Sequence, residues 1–207
     1  MPLTRRGYEI VAVELGPGLA AAARRRLAAY PAAEVVTAAF EDWPLPEEPF
    51  DAVVSATAFH WLDPEVRLDR VARALRPGGA LAVVTTRHVA GGDAAFFAAA
   101  QRCYERFMPG TPPDERLRPA SEIPAEAAAE LAREPRFAPA VTRRYEREIG
   151  YTTAEYLDLL ATYSGHRALD AGPRADLFAC LAALADEHHG GRIAKRYLFE
   201  LTVARRS

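Results

Sequence analysis

The chain has 207 residues, half of them apolar and 26% charged, a balance that predicts a globular protein with one ordinary core. Its formal net charge of −2 excludes the polybasic surface that phosphate backbones select, so no nucleic acid is expected as a partner. Cys103 and Cys180 are the only cysteines and lie far apart. Neither a disulfide framework nor a metal spacing is expected from them, and the expected location is a reducing cytoplasm. No stretch has the form of a signal peptide or the length of a bilayer span, so no membrane association is expected. Lys195 is the only lysine among many arginines, alanines and prolines, which reads as the coding bias of a GC-rich bacterial source.

Three short apolar runs open the chain, Glu9 to Glu14, Glu34 to Ala38 and Phe50 to Ser55. Their branched residues are continuous and do not alternate with polar ones, which predicts buried parallel strands. Between the first two, Leu19 to Tyr30 follows Gly16-Pro17-Gly18 and stops at Pro31, a helix by propensity and by its breakers. A second helix is expected over Pro64 to Leu75, with Asp63 as its cap and Pro64 in its first position. Arg76-Pro77-Gly78-Gly79 ends it, and a strand over Ala80 to Thr86 follows. The order of strands and helices predicts an α/β fold with helices on both faces of a mostly parallel sheet.

From Ala94 the pattern changes. A helix is expected through Phe107, then a connection rich in proline and charge from Pro109 to Pro124, then a helix ending near Arg133. This middle reads as a helical insertion or lid, because long connections that carry helices border binding sites. A polar strand around Val141 to Tyr151, a helix from Thr152-Thr153, a helix over Arg174 to His188 and a last strand over Arg192 to Ala204 complete the chain. The organisation expected is one domain over 1–207, with a core over 1–90, the insertion over 91–140 and closing strands and helices over 141–207.

Three motifs stand in order: Gly7 to Glu14, Phe50-Asp51-Ala52-Val53-Val54-Ser55, and Leu75-Arg76-Pro77-Gly78-Gly79-Ala80-Leu81. Together they resemble the Rossmann-like class I S-adenosylmethionine-dependent methyltransferases, in the small-molecule, type 11 branch similar to trans-aconitate-type methyltransferases. The likeness covers the first 90 residues closely. It implies that Glu14 ends the second strand of that family and accepts hydrogen bonds from the cofactor ribose, with Leu15 beside it. Gly16-Pro17-Gly18 imitates the family's glycine-rich loop, but only one helix and one strand separate Glu14 from Asp51, too few for that assignment. The implication is a chain that lacks the family's first strand and glycine-rich loop, with strands two and four facing a gap. A start further upstream is the favoured explanation, with direct pairing of the two strands or a second chain as the others.

The resemblance places Ala39 and Phe40 against adenine, where the family often has an acid and this chain has Ala39. Ser55 lies at the end of the Phe-Asp strand, on the cofactor side. Glu41 and Asp42 read equally well as surface charges, and Trp43 as core. In the loop Ser55 to Asp63, His60 is the candidate to orient an acceptor or take its proton, since an ordinary imidazole titrates near neutrality. A packed, satisfied histidine is the equal alternative. Trp61 is a candidate substrate contact, with core the favoured alternative. Arg87 and His88 are candidate contacts for an anionic acceptor such as a carboxylate. His188-His189 fit a helix end better than a metal site, as adjacent histidines on a helix diverge. No metal is expected, and a homodimer is an open expectation. Two competing functions stay in view: a non-catalytic remnant or subunit of the same fold, and a nicotinamide-dependent oxidoreductase, whose ribose Glu14 would serve equally.

Overall fold

The computed structural model of the chain describes residues 2–113 and 116–207. In chain order its elements are β1 (Ile10–Glu14), α1 (Pro17–Leu27), β2 (Ala33–Thr37), β3 (Phe50–Ala56), α2 (Arg67–Ala74), β4 (Leu75–Gly92), α3 (Ala94–Phe107), α4 (Glu126–Leu131), β5 (Val141–Thr152), α5 (Thr153–Ala161), α6 (Ser164–Arg167), α7 (Ala171–His188) and β6 (Arg192–Arg205). Short 3-10 turns occupy Thr4–Arg6, Phe59–Trp61 and Ala120–Glu122. The chain divides into two compact units. The first holds the chain up to Val83 with Ala127–Val141 and Thr202–Ser207; the second holds Val84–Glu126 and Thr142–Leu201.

Local chemistry explains most boundaries. α1 begins after Gly16 with Pro17 in its first turn, where the missing N–H costs nothing. Arg24, Arg25 and Arg26 fill its last turn, which suits the negative helix end. Arg24 also reaches β2, donating to the Val35 carbonyl at 2.9 Å and the Thr37 hydroxyl at 2.7 Å. α5 opens on a capping box in which Thr152 and Glu155 satisfy each other's backbone N–H groups. The expected start of α2 at Pro64 is corrected. The Asp63 carboxylate accepts the Glu65 N–H at 2.9 Å and closes a local turn, so the helix begins only at Arg67.

β1 and β2 pair in parallel, Ile10 opposite Ala33 through Glu14 opposite Thr37, and form a sheet of their own. A second sheet runs in the order β3-β4-β6-β5. β1 and β3 therefore belong to different sheets. β6 is antiparallel to β4, since Gly79 bonds Arg206 while Asp93 bonds Ala194. The Pro77-Gly78-Gly79 stretch, expected as a turn ahead of a strand, lies inside the long β4. A Cβ on Gly79 would stand 2.8 Å from the Arg76 carbonyl and 3.2 Å from that of Asp51, so only glycine permits this approach.

In the first unit the core gathers Leu68, Val71, Leu75, Leu81 and Val83 with Phe59, Leu131 and Phe137. In the second, Phe96, Leu160, Leu177, Leu181 and Ile193 are fully buried on α3, α5, α7 and β6. There the structure corrects the reading of the cysteines. Cys103 on α3 and Cys180 on α7 form a disulfide across 77 residues, with Cα atoms 6.0 Å apart. Distance in sequence does not limit such a bond; the packing of the two helices brings the sulfurs together. Among the described residues no helix is long and apolar enough to cross a membrane, and no group of three or more metal-ligating side chains is assembled.

Candidate functional site

The carboxyl ends of β1 and β2 lie side by side, and the Ala38 N–H donates to the Glu14 carbonyl at 3.1 Å. This bond carries the pairing one step beyond the strands. It brings Glu14, Leu15, Ala39 and Phe40, the expected cofactor residues, onto one edge. The Glu14 carboxylate accepts the Gly16 N–H through Oε1 at 2.7 Å. A Cβ on Gly16 would stand 3.1 Å from that oxygen, so the glycine makes room for the acid. Among the described residues Oε2 has no protein donor, and the N–H groups of Leu15, Ala39 and Phe40 have no protein acceptor. One carboxylate and three unpaired backbone donors thus share an edge, the mixture of groups a ribose and a purine require.

Two clamps hold the neighbouring loop. Arg70 on α2 donates from Nε to the Phe40 carbonyl at 2.8 Å and from Nη2 to the Trp43 carbonyl, with its guanidinium over the Phe40 ring. Glu41 accepts the Asp63 N–H at 3.0 Å. Glu41 is thus not a plain surface charge: it ties the loop after β2 to the loop after β3.

That second loop leaves β3 after Ser55 and Ala56. Thr57 follows at φ 55°, the one non-glycine with positive φ among the described residues. A β-branched residue is strained there, and such strain persists only where the surroundings fix it. Arg67 holds the turn that follows. Its Nη1 donates to the Phe59 carbonyl at 3.1 Å and the Leu62 carbonyl at 3.3 Å. Its other nitrogens meet both oxygens of Glu130 at 2.7 Å. In the turn Phe59–Trp61 it is Phe59 that enters the core, while His60 is exposed and Trp61 is 72% exposed. The reading of Trp61 as core is corrected: so short a turn directs one of its three side chains inward, and Phe59 is that one. The rings of His60 and Trp61 lie 4.9 Å apart at the surface.

Arg87 and His88 lie on β4 within the second unit. Arg87 pairs with Glu126. His88 packs against Phe97, with ring centroids 4.4 Å apart, and its buried Nε2 has no hydrogen-bond partner. Burial first, and the Lys195 charge second, push its pKa down to about 3, so the ring is neutral at pH 7. The structure therefore brings Glu14, Leu15, Ala39 and Phe40 together and sets Ser55, His60 and Trp61 on and after β3. Arg67, Arg70 and Thr57 escaped the sequence reading. The arginines are three residues apart on one helix, but the loop groups they hold are carbonyls, which no residue type marks.

The segment that carries this edge is similar to known proteins. Residues 1–83 match the model of a methyltransferase domain family. An uncharacterized methyltransferase of Mycobacterium tuberculosis is 40% identical over 82 residues, a match that covers 40% of this chain and 32% of the relative, about a third of its length. Among solved structures, a putative methyltransferase from Bacillus halodurans superposes with a TM-score of 0.55 at 16% identity, covering 96% of this chain and 83% of its own. A putative type II methyltransferase from Anaeromyxobacter dehalogenans gives 0.54 at 24% identity, covering 97% and 82%. Residues 1–83 are thus similar to a methyltransferase domain family, and the chain shares the fold of these solved structures.

Proposed function

We propose that the protein is an S-adenosylmethionine-dependent methyltransferase that acts on a small molecule in the cytoplasm. The observation that carries this reading is the edge at Glu14. Its free Oε2 suits a ribose hydroxyl, and the N–H groups of Leu15, Ala39 and Phe40 suit the acceptor atoms of an adenosyl group. Bound there, the cofactor supplies a methyl group made electrophilic by a sulfonium. The chain's part is alignment. Arg70 keeps Phe40 in place as an apolar wall, and Arg67 keeps the turn that presents His60. Exposed His60 is the candidate base for the acceptor's proton, with Ser55 on the cofactor side and Trp61 as an apolar surface for the acceptor. Neither Arg87, paired with Glu126, nor the neutral His88 supplies a free cation. The formal net charge of −2 supports a small acceptor over nucleic acid. In a reducing cytoplasm the Cys103–Cys180 bond is exposed to reduction, and counting free thiols in freshly isolated protein checks the location.

One observation favours a second reading, a non-catalytic subunit of the same fold: β1 and β3 stand in separate sheets, and Val54 on β3 is exposed. Calorimetric titration with S-adenosylhomocysteine separates the two. Catalysis predicts saturable binding, weakened roughly thirtyfold in Glu14→Ala by loss of about 2 kcal/mol of charge-assisted hydrogen bonding. No binding by the unaltered chain supports the subunit reading instead.

A further inference from the structure

The second unit buries a cation that the edge at Glu14 does not use. Lys195 sits on β6 with Ile193 and Tyr197 on the same strand face, and it is 3% exposed. Its Nζ donates to the Tyr163 hydroxyl at 3.3 Å. The faces of Tyr156, Tyr163 and Tyr197 lie 5.9, 5.4 and 5.2 Å from it. An ammonium group has three donors, and among the described residues none of them meets a carboxylate. The buried acid on the same strand, Glu200, is paired with Arg144 at 2.8 Å, and the Asp93 carboxylate accepts the Ala194 N–H.

An unpaired buried charge is costly, and proteins rarely keep one without a counter-ion. Two further groups in this neighbourhood also lack partners. His166, 7% exposed, bonds the Tyr104 hydroxyl through Nε2 at 3.2 Å and leaves Nδ1 unsatisfied. His88 leaves its buried Nε2 unsatisfied beside Tyr197. Both imidazoles are coupled to the Lys195 charge and are held below their ordinary range, chiefly by burial. With both rings neutral, the cluster carries one positive charge.

We propose that the second unit builds a binding site for a small organic monocarboxylate, with the Lys195 ammonium as counter-ion and the Tyr163 hydroxyl beside it. One cation matches one negative charge, whereas a phosphate dianion needs two. The surrounding rings favour an organic body over a bare ion. The site is independent of the methyl-transfer reading and stands or falls separately from it.

Because Lys195 is the only lysine in the chain, protein labelled with ε-13C lysine gives a single lysine resonance that reports this group alone. Acetate, benzoate, neutral benzamide and inorganic phosphate are the probes. Saturable movement of that resonance with benzoate or acetate, and not with benzamide, is expected. Its titration midpoint, which burial sets at about 8, should rise by about one unit, the mark of a tenfold preference for the charged ammonium. Lys195→Met should weaken benzoate binding at least about tenfold by calorimetry. A lysine resonance indifferent to both carboxylates overturns the site, as does unweakened benzoate binding by folded Lys195→Met. Phosphate moving the resonance as far as benzoate overturns the carboxylate assignment. The resonance of the unaltered chain decides the matter even where the variant does not fold.

Discussion

The two units share one device, arginines that hold backbone carbonyls, and differ in how their helices are tied together. In the first, Arg67 bonds Phe59 and Leu62, Arg70 bonds Phe40 and Trp43, and Arg24 bonds Val35. Its exposed apolar residues include Leu15, Leu19, Val54 and Trp61. In the second, Arg144 bonds Ala120 and Ile123 in the same way, but α3 and α7 are also joined covalently, and Phe96, Leu177 and Leu181 are sealed from solvent. A unit whose loops must meet a ligand leaves apolar groups and backbone donors open. A unit closed on its core confines its unsatisfied groups to the interior, at His88 and His166.

The covalent link offers the largest test of that contrast. The disulfide closes 77 residues, a loop for which chain entropy predicts about 4.5 kcal/mol of stabilisation. In Cys103→Ala/Cys180→Ala, amide hydrogen exchange should accelerate along α3 and α7 and stay unchanged in β1 and β2. An equal acceleration in both would erase the distinction between the units.

Acid tests the same contrast through His88. Burial lowers its folded pKa from 6.5 to about 3, so between those values the unfolded chain binds a proton that the native chain refuses. The unfolded state gains protons as pH falls, and stability therefore decreases from pH 6.5 toward pH 3. At pH 5 this effect amounts to at most about 2 kcal/mol. His88→Phe keeps an aromatic partner for Phe97 and removes the titration. Urea midpoints at pH 7 and pH 5 should differ less in the variant; an unchanged difference would mean that the native imidazole takes its proton freely.

These tests reach the residues that were hardest to read beforehand. The strands at Ile10–Glu14, Ala33–Thr37 and Phe50–Ala56 were legible because continuous branched residues bounded by breakers leave few alternatives. α3 and the capping box of α5 were legible for similarly local reasons. The position of Glu14 at the end of β1 was legible because the apolar run stops there. Lys195 was invisible: a single lysine in a strand pattern reads as a surface charge, and only the tertiary packing of Tyr156, Tyr163 and Tyr197 shows otherwise. The disulfide was hidden in the same way, since helix packing and not spacing chose the pair. Trp61 failed through a general preference, aromatic residues inside, that Phe59 two positions earlier had already met.

The smallest effect expected belongs to a motif residue. Asp51 introduces β3, and its carboxylate accepts Arg76 Nε at 2.6 Å, but the side chain is 85% exposed. A pair so open to water contributes little. Asp51→Ala should therefore shift stability by no more than about 0.5 kcal/mol in a urea titration. The close contact at this place is made by the backbone: the Asp51 carbonyl lies where a Cβ on Gly79 would have to go. The Phe-Asp and Pro-Gly-Gly motifs are thus joined through main chain, and the aspartate side chain is spare as far as folding is concerned. A loss well above 0.5 kcal/mol would show that the Arg76 pair holds β3 against β4, and that the open unit leans on surface charge as well as on its arginine clamps.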